Sequence, residues 1–319
     1  MRAPLDLSDR AYALDLIGDI HGHADALTRL LDQLGYRKKD RRWHHPSARI
    51  LFLGDLIDRG PAQRETVEIA HELCESGLAQ CLMGNHEFNA VGFVTERNDA
   101  PGQFVRSHTE NHIRQHEAFL DAYANDQAGY LQALDWFKTL PLWAEASAFR
   151  AVHACWHAPS QAALAPWLTG HHAPKDSTFF TDSGIPGSLA WEAREVLLNG
   201  LETRLPGEAS FVDYYGTRRR KIRVNWWSPA QTTYRDAAVI DDSQRDRIPD
   251  IPLQEVAPDY AETLCFFGHY WMRGQPRVTH PRALCLDYSV ALEDGFLCSY
   301  RFKGESDAVN DHLTWVGHT

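Results

Sequence analysis

The chain has 319 residues, of which 44% are apolar and 24% charged, and its formal net charge is −11. This composition is typical of a globular protein and excludes collagen, a disulfide-rich mini-protein and a fully disordered chain. The acidic balance argues against stable nucleic-acid binding, which needs a basic surface. It leaves phosphorylated substrates open, because bound metal ions can locally outweigh the global charge.

Several features favour a cytoplasmic location without a membrane partner. No apolar run reaches the roughly 18 residues of a membrane span, and the N-terminal sequence MRAPLDLSDR lacks the apolar core of a signal peptide. The six cysteines are scattered and form no C-x-x-C pair. We therefore expect buried, reduced thiols. The sequence leaves the oligomeric state undetermined.

The first third of the chain alternates between strand-like and helix-like patterns. In Ala24–Leu34 the leucines recur at helical spacing, and Gly35 is a typical helix stop. The predicted strands in this third are Tyr12–Ile17, Arg49–Leu53 and Ala79–Met83, and a second helix runs from Pro61 to about Ser76. This alternation predicts an α/β fold with parallel strands and helical crossovers.

The later strands have short connections, and we predict them to be mainly antiparallel. They are Phe149–Val152, Leu264–Phe267, Ala283–Leu286, Phe296–Phe302 and His312–Val316. Helical patterns recur at Arg106–Tyr123 and Leu189–Leu198. We interpret residues 158–260, which are rich in Pro, Trp and Arg, as a long irregular insertion within a single domain spanning residues 1–319.

Polar side chains accumulate directly after five of these strands. They are Asp19 with His21, Asp55 with Asp58, Asn85 with His86, then His153, and then His269. The carboxyl ends of strands are where α/β proteins assemble their sites. Carboxylates, imidazoles and an amide oxygen suit divalent ions such as manganese, iron, zinc or nickel.

Three of these segments carry a family resemblance. They read GDIHG at 18–22, GDLIDRG at 54–60 and GNHE at 84–87. The sequence thus resembles the calcineurin-like metallophosphoesterases, above all the phosphoprotein-phosphatase branch and its bacterial relatives that cleave diadenosine tetraphosphate. Weaker matches, VHA at 152–154 and GHY at 268–270, extend the resemblance over most of the chain. The resemblance implies a central β-sandwich flanked by helices in four layers.

The resemblance also implies a site for two divalent ions, with manganese as the first candidate. One ion would be held by Asp19, His21 and Asp55, and Asp55 would bridge to the other. That second ion would be completed by Asn85, His153 and His269. Many metallophosphoesterases carry a second histidine two residues after the last of these ligands, but here that position is Trp271. In this respect the chain again resembles the phosphoprotein-phosphatase branch.

The same resemblance implies the acid–base residues. His86 would protonate the leaving oxygen, Asp58 would orient that imidazole, and Arg59 would bind a substrate phosphate oxygen. The expected reaction is hydrolysis of a phosphate ester or anhydride by a metal-bridging hydroxide. A bis(5'-nucleosyl)-tetraphosphatase is the first interpretation. A Ser/Thr-type phosphomonoesterase acting on phosphoprotein and a catalytically inactive metal-binding scaffold are the alternatives.

Further residues stand out without a fixed role. His108, His112 and His116 are spaced to share one helix face, which we interpret as solvated or packed between helices. Glu87 belongs to the GNHE segment and suits a helix N-terminus. Candidates for a second phosphate contact are Arg218, Arg219, Arg220, Lys221 and Arg223. Candidates for a wall against a nucleobase or another part of the substrate are Tyr214, Tyr215, Trp226, Trp227, Tyr270 and Trp271, although the first four are more often packing residues.

Overall fold

The computed structural model describes residues 12–40, 42–212, 216–228, 232–253 and 263–317. Its strands are β1 (Ala13–Ile17), β2 (Arg37–Lys39), β3 (Arg42–His44), β4 (Ala48–Phe52), β5 (Ala79–Cys81), β6 (Trp143–Ala146), β7 (Phe149–Val152), β8 (Glu202–Arg204), β9 (Phe211–Val212), β10 (Arg218–Arg219), β11 (Lys221–Val224), β12 (Ala238–Val239), β13 (Leu264–Phe267), β14 (Ala283–Cys285), β15 (Asp287–Tyr288), β16 (Phe296–Phe302) and β17 (Leu313–Gly317).

Helices lie between most of these strands. They are α1 (Ala24–Leu34), α2 (Gln63–Ser76), α3 (Asn85–Val94), α4 (Glu110–Ala122), α5 (Gln127–Phe137), α6 (Ala158–Leu164), α7 (Thr178–Asp182), α8 (Leu189–Asn199), α9 (Tyr234–Ala237) and α10 (Asp242–Arg245), with 3-10 turns at Ala165–Trp167 and Asn310–His312. Helix α1 has the predicted bounds, and Gly35 ends it with a φ of 97°. Helix α4 starts later than predicted, because the Thr109 side chain accepts the His112 N–H and caps it.

The larger sheet has the strand order β15-β16-β1-β4-β5, with β17 also paired to β16. Strands β1, β4 and β5 are parallel, as the alternation of strands and helices predicts. Strand β16 joins β1 in antiparallel orientation. The antiparallel prediction for the C-terminal strands is confirmed for β16 and β17, and β15, which was not predicted, is also antiparallel to β16.

The smaller sheet has the order β14-β13-β7-β6. Strand β13 is parallel to both β7 and β14, and only β6 is antiparallel to its neighbour β7. The prediction of mainly antiparallel later strands is therefore wrong for β7, β13 and β14. The connection at residues 268–282 is long enough to bring the chain back to the starting end of the sheet, and such a crossover makes parallel pairing accessible.

The two sheets pack face to face with helices outside them. Leu14 and Leu16 of β1 share one apolar cluster with Phe149 and Phe266 of the smaller sheet, whereas Ile17 belongs to a second cluster together with residues of α1, α2, α5 and α8. Side chains along a strand alternate between faces, so each sheet contributes to both clusters. The observed α/β architecture is the predicted β-sandwich flanked by helices.

The segment 158–260 is more regular than predicted. It contains α6 to α10 and the short strands β8 to β12, and a small apolar cluster of its own includes Phe211, Ile222 and Tyr234. Leu197 and Leu198 of α8 are part of the large cluster. Two- to four-residue strands carry too little periodic signal to be seen in a sequence. A single domain over residues 1–319 stays a prediction.

In the part of the chain that the structure describes, no helix has the length and apolar character that crossing a membrane requires.

Candidate active site

The structure brings the predicted polar residues together at one edge of the sandwich, in the loops that follow β1, β4, β7 and β13 and at the start of α3. Asp55 lies at the centre. Its Oδ2 is 3.8 Å from Nε2 of His21 and 3.8 Å from Nε2 of His86, and its Oδ1 is 3.4 Å from Nε2 of His153. Burial opposes ionisation of Asp55, but the charges of His153 and His86 outweigh it and hold the pKa of this carboxyl well below its usual range.

Two backbone carbonyls orient the imidazoles around Asp55. Nδ1 of His21 donates to the carbonyl of Ile57 at 2.8 Å, and Nδ1 of His153 donates to the carbonyl of Leu53 at 2.8 Å. Each ring therefore turns Nε2 toward the acidic centre. Burial, with help from Arg59, holds the pKa of His21 well below its usual range, so this ring presents a free lone pair. Such carbonyl partners are typical of metal-binding histidines.

Asn85 and Asp19 connect His269 to the same centre. Oδ1 of Asn85 lies 2.9 Å from Nδ1 of His269 and 3.1 Å from Nε2 of His153. The backbone N–H of His269 donates to Oδ2 of Asp19 at 3.1 Å, although the two residues are 250 positions apart. Burial, together with the charges of Asp287 and Asp55, raises the pKa of Asp19 well above its usual value. The site thus concentrates negative charge that a cation would relieve.

The donor set fits two divalent metal ions. Two groups of side chains have ligand atoms within 4.8 Å of one another, namely His21, Asp55 and His86, and Asp55, His153 and His269. Within the described residues, the buried Nε2 atoms of His21 and His269 have no hydrogen-bond partner. Oδ2 of Asp19 lies 4.0 Å from Nε2 of His21, so a carboxylate is also within reach of the first group. Nitrogen and oxygen donors of this kind suit manganese, iron, zinc or nickel.

A histidine–carboxylate pair lies beside this centre. Nδ1 of His86 is 2.5 Å from Oδ2 of Asp58, and the backbone N–H of His86 donates to Oδ1 of Asp55 at 3.0 Å. Burial would raise the pKa of Asp58, but hydrogen bonds from His116 and His86 outweigh it and lower that pKa. His86 is only partly buried, and its Nε2 is the ring nitrogen that faces Oδ2 of Asp55.

Glu87 connects two of the loops. Its carboxylate accepts the backbone N–H groups of Asp55 and Leu56, both at 2.8 Å, and of Gly84 at 2.9 Å. Burial and the charge of Asp55 raise the pKa of Glu87 to about 7. The expected contact with a helix N-terminus is present, since Gly84 caps α3. The additional bonds fix the Asp55 loop against the loop after β5.

Arg59 and Trp271 form an exposed corner of the site. The Arg59 guanidinium lies 4.0 Å from the centre of the Trp271 ring. Oδ2 of Asp287 accepts the Trp271 N–H at 2.8 Å, and Asp287 is itself 1% exposed. Our sequence reasoning missed Asp287, although it directly follows the predicted strand Ala283–Leu286. Applying the rule of polar residues behind strands to every strand would have found it.

The remaining candidates separate into packing and polar residues. Trp226 and Trp227 are buried against Phe267, and Tyr270 packs on Trp227, so the wall prediction is wrong for Tyr270. Tyr214 and Tyr215 lie outside the described residues. In the cationic run, Arg218 donates to Ser210 and Arg220 pairs with Glu208. The charge of Arg223 acts on His269, whose pKa is lowered by burial first and by Arg223 second.

The prediction of one helix face shared by three histidines is wrong for His108. His108 precedes α4, so it does not share a helix face with the other two. His116 is buried against Phe93 of α3, as in the alternative of a face packed between helices, and its Nδ1 lies 2.8 Å from Oδ1 of Asp58. A buried position could have been read from the sequence, because Phe119 and Tyr123 follow His116 at helical spacing. The identity of its partner could not.

The fold and the site define the class of protein. The family model for calcineurin-like phosphoesterases matches residues 13–270, which is most of the chain. The chain therefore belongs to this family, in agreement with the resemblance carried by its three N-terminal motifs.

Individual relatives match over shorter stretches. Bis(5'-nucleosyl)-tetraphosphatase PrpE (asymmetrical) from Halalkalibacterium halodurans is 42% identical over 73 residues, which is 23% of this chain and 30% of that protein. The protein of the same name from Bacillus cereus is 33% identical over 133 residues, which is 38% of this chain and 52% of that protein. The matched part of the chain thus covers 30% of the length of the first relative and 52% of the length of the second.

Among solved structures, a serine/threonine phosphatase from Saccharomyces cerevisiae with similarity to human phosphatase PP5 has the same fold. The TM-score is 0.51 at 13% sequence identity, over 98% of this chain and 83% of that chain. This likeness concerns the fold alone.

Proposed function

We propose that the chain is a dinuclear-metal-dependent phosphoesterase that hydrolyses a phosphate anhydride of the bis(5'-nucleosyl) tetraphosphate class. One observation carries the proposal. Two groups of ligand atoms, each within 4.8 Å, share Asp55 and lie beside the His86–Asp58 pair. The names of the partly matching relatives favour this substrate class over other phosphate compounds.

Six residues would hold the two ions: Asp19, His21, Asp55, Asn85, His153 and His269. When bound, such ions supply Lewis-acid activation of water and neutralise charge on the phosphoryl oxygens. Manganese is the first ion to test, and iron, zinc and nickel fit the same donor set. Nε2 of His21, which has no hydrogen-bond partner among the described residues, is already 3.8 Å from Oδ2 of Asp55 and so faces the proposed position of the first ion.

The chain's own residues supply binding and proton transfer. The Arg59 guanidinium, exposed at the rim of the site, would bind a phosphate oxygen. His86 would deliver a proton from Nε2 to the leaving oxygen, since its Nδ1 is engaged with Asp58. Asp58 would hold that imidazole in this orientation through the contact between its Oδ2 and Nδ1 of His86. Arg223 is the candidate for a second phosphate contact, because its charge already acts on His269.

The second candidate is a phosphomonoesterase of the Ser/Thr protein phosphatase type. The absence of the second histidine, at Trp271, favours it over other metallophosphoesterase activities. A catalytically inactive metal-binding scaffold is the third hypothesis. The free cysteines, five of them buried, favour a reducing compartment, and we include the cytoplasm in the proposal.

The decisive assay offers manganese-loaded protein an equimolar mixture of diadenosine tetraphosphate and a phosphopeptide, and the products are separated by chromatography. We expect the nucleotide to be consumed first. Appearance of ATP with AMP would identify asymmetrical cleavage, and ADP alone would identify symmetrical cleavage. Asp55→Ala should abolish turnover and reduce the metal content together.

Matched controls make the other outcomes informative. Asp135→Ala removes a carboxylate from an exposed position on α5 and should leave turnover unchanged. Release of inorganic phosphate from the peptide with the nucleotide intact would contradict the proposal and favour the phosphomonoesterase. Binding of two ions without turnover of either substrate would favour the scaffold. Full activity of a folded Asp55→Ala protein would overturn the metal site itself.

A further inference from the structure

The carboxylate of Asp58 has a histidine on each oxygen. Oδ2 lies 2.5 Å from Nδ1 of His86, and Oδ1 lies 2.8 Å from Nδ1 of His116. Asp58 is 3% exposed and His116 is 5% exposed, so water competes little for either bond. A carboxylate that accepts two charge-assisted hydrogen bonds in a buried position is held in one orientation.

His116 is fixed from outside the site. Its ring lies between Phe93 and Phe119, with ring centroids 5.3 and 5.2 Å away. Phe119 is fully buried and packs in turn on Tyr130. Helix α4, which carries His116, also packs against α2. The aromatic core under α4 therefore sets the orientation of this imidazole.

Within the described residues, Nε2 of His116 is buried without a hydrogen-bond partner. The hydrogen bond of this ring is thus made at Nδ1, to Asp58. Because an ionised carboxylate can only accept, Nδ1 of His116 carries the proton. His116 therefore donates one hydrogen bond, from Nδ1 to Oδ1 of Asp58, while His86 contacts the other carboxylate oxygen, Oδ2.

The loop that carries Asp58 needs such an anchor. Asp58 and Arg59 are consecutive non-glycine residues with left-handed backbone, at φ values of 70° and 71°. Strained backbone of this kind persists only where surrounding contacts determine it. One contact is the bond from the Asp58 N–H to Oε1 of Gln63 at 2.7 Å, and His116 supplies the corresponding contact to the side chain.

We propose that His116 is a positioning residue that acts on the general acid through Asp58. By donating to Oδ1, it stops the carboxylate from rotating and keeps Oδ2 directed at Nδ1 of His86. The inference rests on the proposed function, since it assigns His86 the role of proton donor. Its consequence is that the core under α4 contributes to the rate of leaving-group departure while making no contact with substrate.

The test compares His116→Phe, which keeps the ring shape but removes the donor, with His116→Asn, whose amide can replace Nδ1. We expect His116→Phe to lower kcat for diadenosine tetraphosphate by about 10-fold with KM nearly unchanged. An activated aryl phosphate, which needs little proton assistance, should lose less than about threefold. His116→Asn should recover most of the loss. His112→Phe, one turn earlier on α4, is the matched control and should behave as wild type.

A second measurement is independent of activity. In metal-free protein with ¹⁵N-labelled histidine, the Nδ1–H signal of His86 reports its bond to Asp58. His116→Phe should shift or broaden that signal, and His116→Asn should restore it. An unchanged His86 signal in His116→Phe overturns the inference, as does an equal loss of rate on both substrates. A wild-type protein that cleaves no phosphate compound refutes the proposed function alone, because the His86 signal still decides the positioning role.

Discussion

Six non-glycine residues around the candidate site adopt left-handed backbone conformations. They are His21 (φ 47°), Asp55 (φ 53°), Asp58 (φ 70°), Arg59 (φ 71°), His269 (φ 73°) and Trp271 (φ 51°). Each such residue costs on the order of 1 kcal/mol. Glycine would remove this cost, but it has no side chain to offer the site. At five of the six positions, all except Trp271, the strained residue supplies a carboxylate, an imidazole or a guanidinium that the proposed chemistry needs.

The neighbouring glycines lie where a side chain could not fit. A Cβ on Gly54 would approach the backbone nitrogen of Gly84 to 2.5 Å, and Gly54 itself has a φ of 97°. This close approach lets the loops after β4 and β5 meet, which brings Asp55 beside His86. In the loop after β4, Gly54 thus adopts a left-handed conformation at little cost, whereas the next residue, Asp55, adopts one with strain.

A single substitution separates the proposed role of His86 as proton donor from metal binding. We expect His86→Ala to retain both metal ions but to lose about 100-fold or more in kcat on diadenosine tetraphosphate. The loss on an activated aryl phosphate should be much smaller, since that leaving group departs without a proton. Steady-state kinetics on the two substrates and metal analysis of the purified protein check this expectation.

The geometry also allows a different role for His86, that of a metal ligand, and the same variant tests it. Nε2 of His86 lies close enough to Asp55 to join one of the two ligand groups. If His86→Ala loses one ion and both substrates suffer equally, His86 is a ligand rather than an acid. His71→Ala, a half-exposed histidine on α2, serves as the control for removing an imidazole.

At the level of secondary-structure elements, a salt bridge between Asp15 and Arg301 connects two central strands of the larger sheet. Asp15 of β1 and Arg301 of β16 are directly opposite in the antiparallel ladder, and two N–H groups of Arg301 donate to the Asp15 carboxylate at 2.7 Å each. Tyr36 donates to the same carboxylate at 2.9 Å. Arg301 also donates to the carbonyl of Leu34, so the group ties the end of α1 to the sheet that carries the site.

Breaking this group should destabilise the protein strongly. Asp15 is fully buried, so Asp15→Asn leaves Arg301 without its counter-charge. We expect the free energy of unfolding in urea to fall by about 3 kcal/mol. Asp25→Asn removes an exposed partner of Arg29 and should change it by less than about 0.5 kcal/mol. Similar effects of the two substitutions would contradict the assignment of a structural role to the Asp15 group.

Over the whole molecule, the site joins both sheets of the sandwich. Asp19 and Asp55 follow strands of the larger sheet, and His153 and His269 follow strands of the smaller one. Burial, Asp287 and Asp55 together raise the pKa of Asp19, so the metal-free protein holds crowded acidic groups at the junction. Bound cations would relieve this repulsion and connect the two sheets.

Metal removal should therefore lower the thermal stability. At a manganese concentration of about 100 times Kd, binding stabilises the folded state by about 2.7 kcal/mol per site. For a chain of this size we expect Tm to rise by about 5–10 °C over the chelated protein. Scanning calorimetry with and without manganese measures this shift. An Asp55→Asn protein that shows the same shift as wild type would place the ions elsewhere, whereas Asp135→Asn should respond like wild type.

Much of the fold and of the candidate site could be predicted because the signals are local. The leucine spacing and Gly35 defined α1 to the residue, and short runs rich in apolar residues located β7, β13 and β16. The polar residues directly behind strands were enough to identify the cluster around Asp55. Short strands and brief helices in segment 158–260 escaped prediction, since two to four residues carry little periodic information.

The sequence by itself determined most of the residues that have the chemistry of the site and the positions of β1, β4, β7, β13, β16, α1 and α2, because periodicity, turn residues and motif spacing act over a few positions. Only the tertiary structure decided that β13 runs parallel to β7, that His116 contacts Asp58, and that the Arg59 guanidinium lies against the Trp271 ring. These contacts depend on which distant segments bury their apolar faces together. A buried polar group forms its hydrogen bond with a partner that tertiary packing brings close, and the neighbouring sequence does not indicate which residue that partner is.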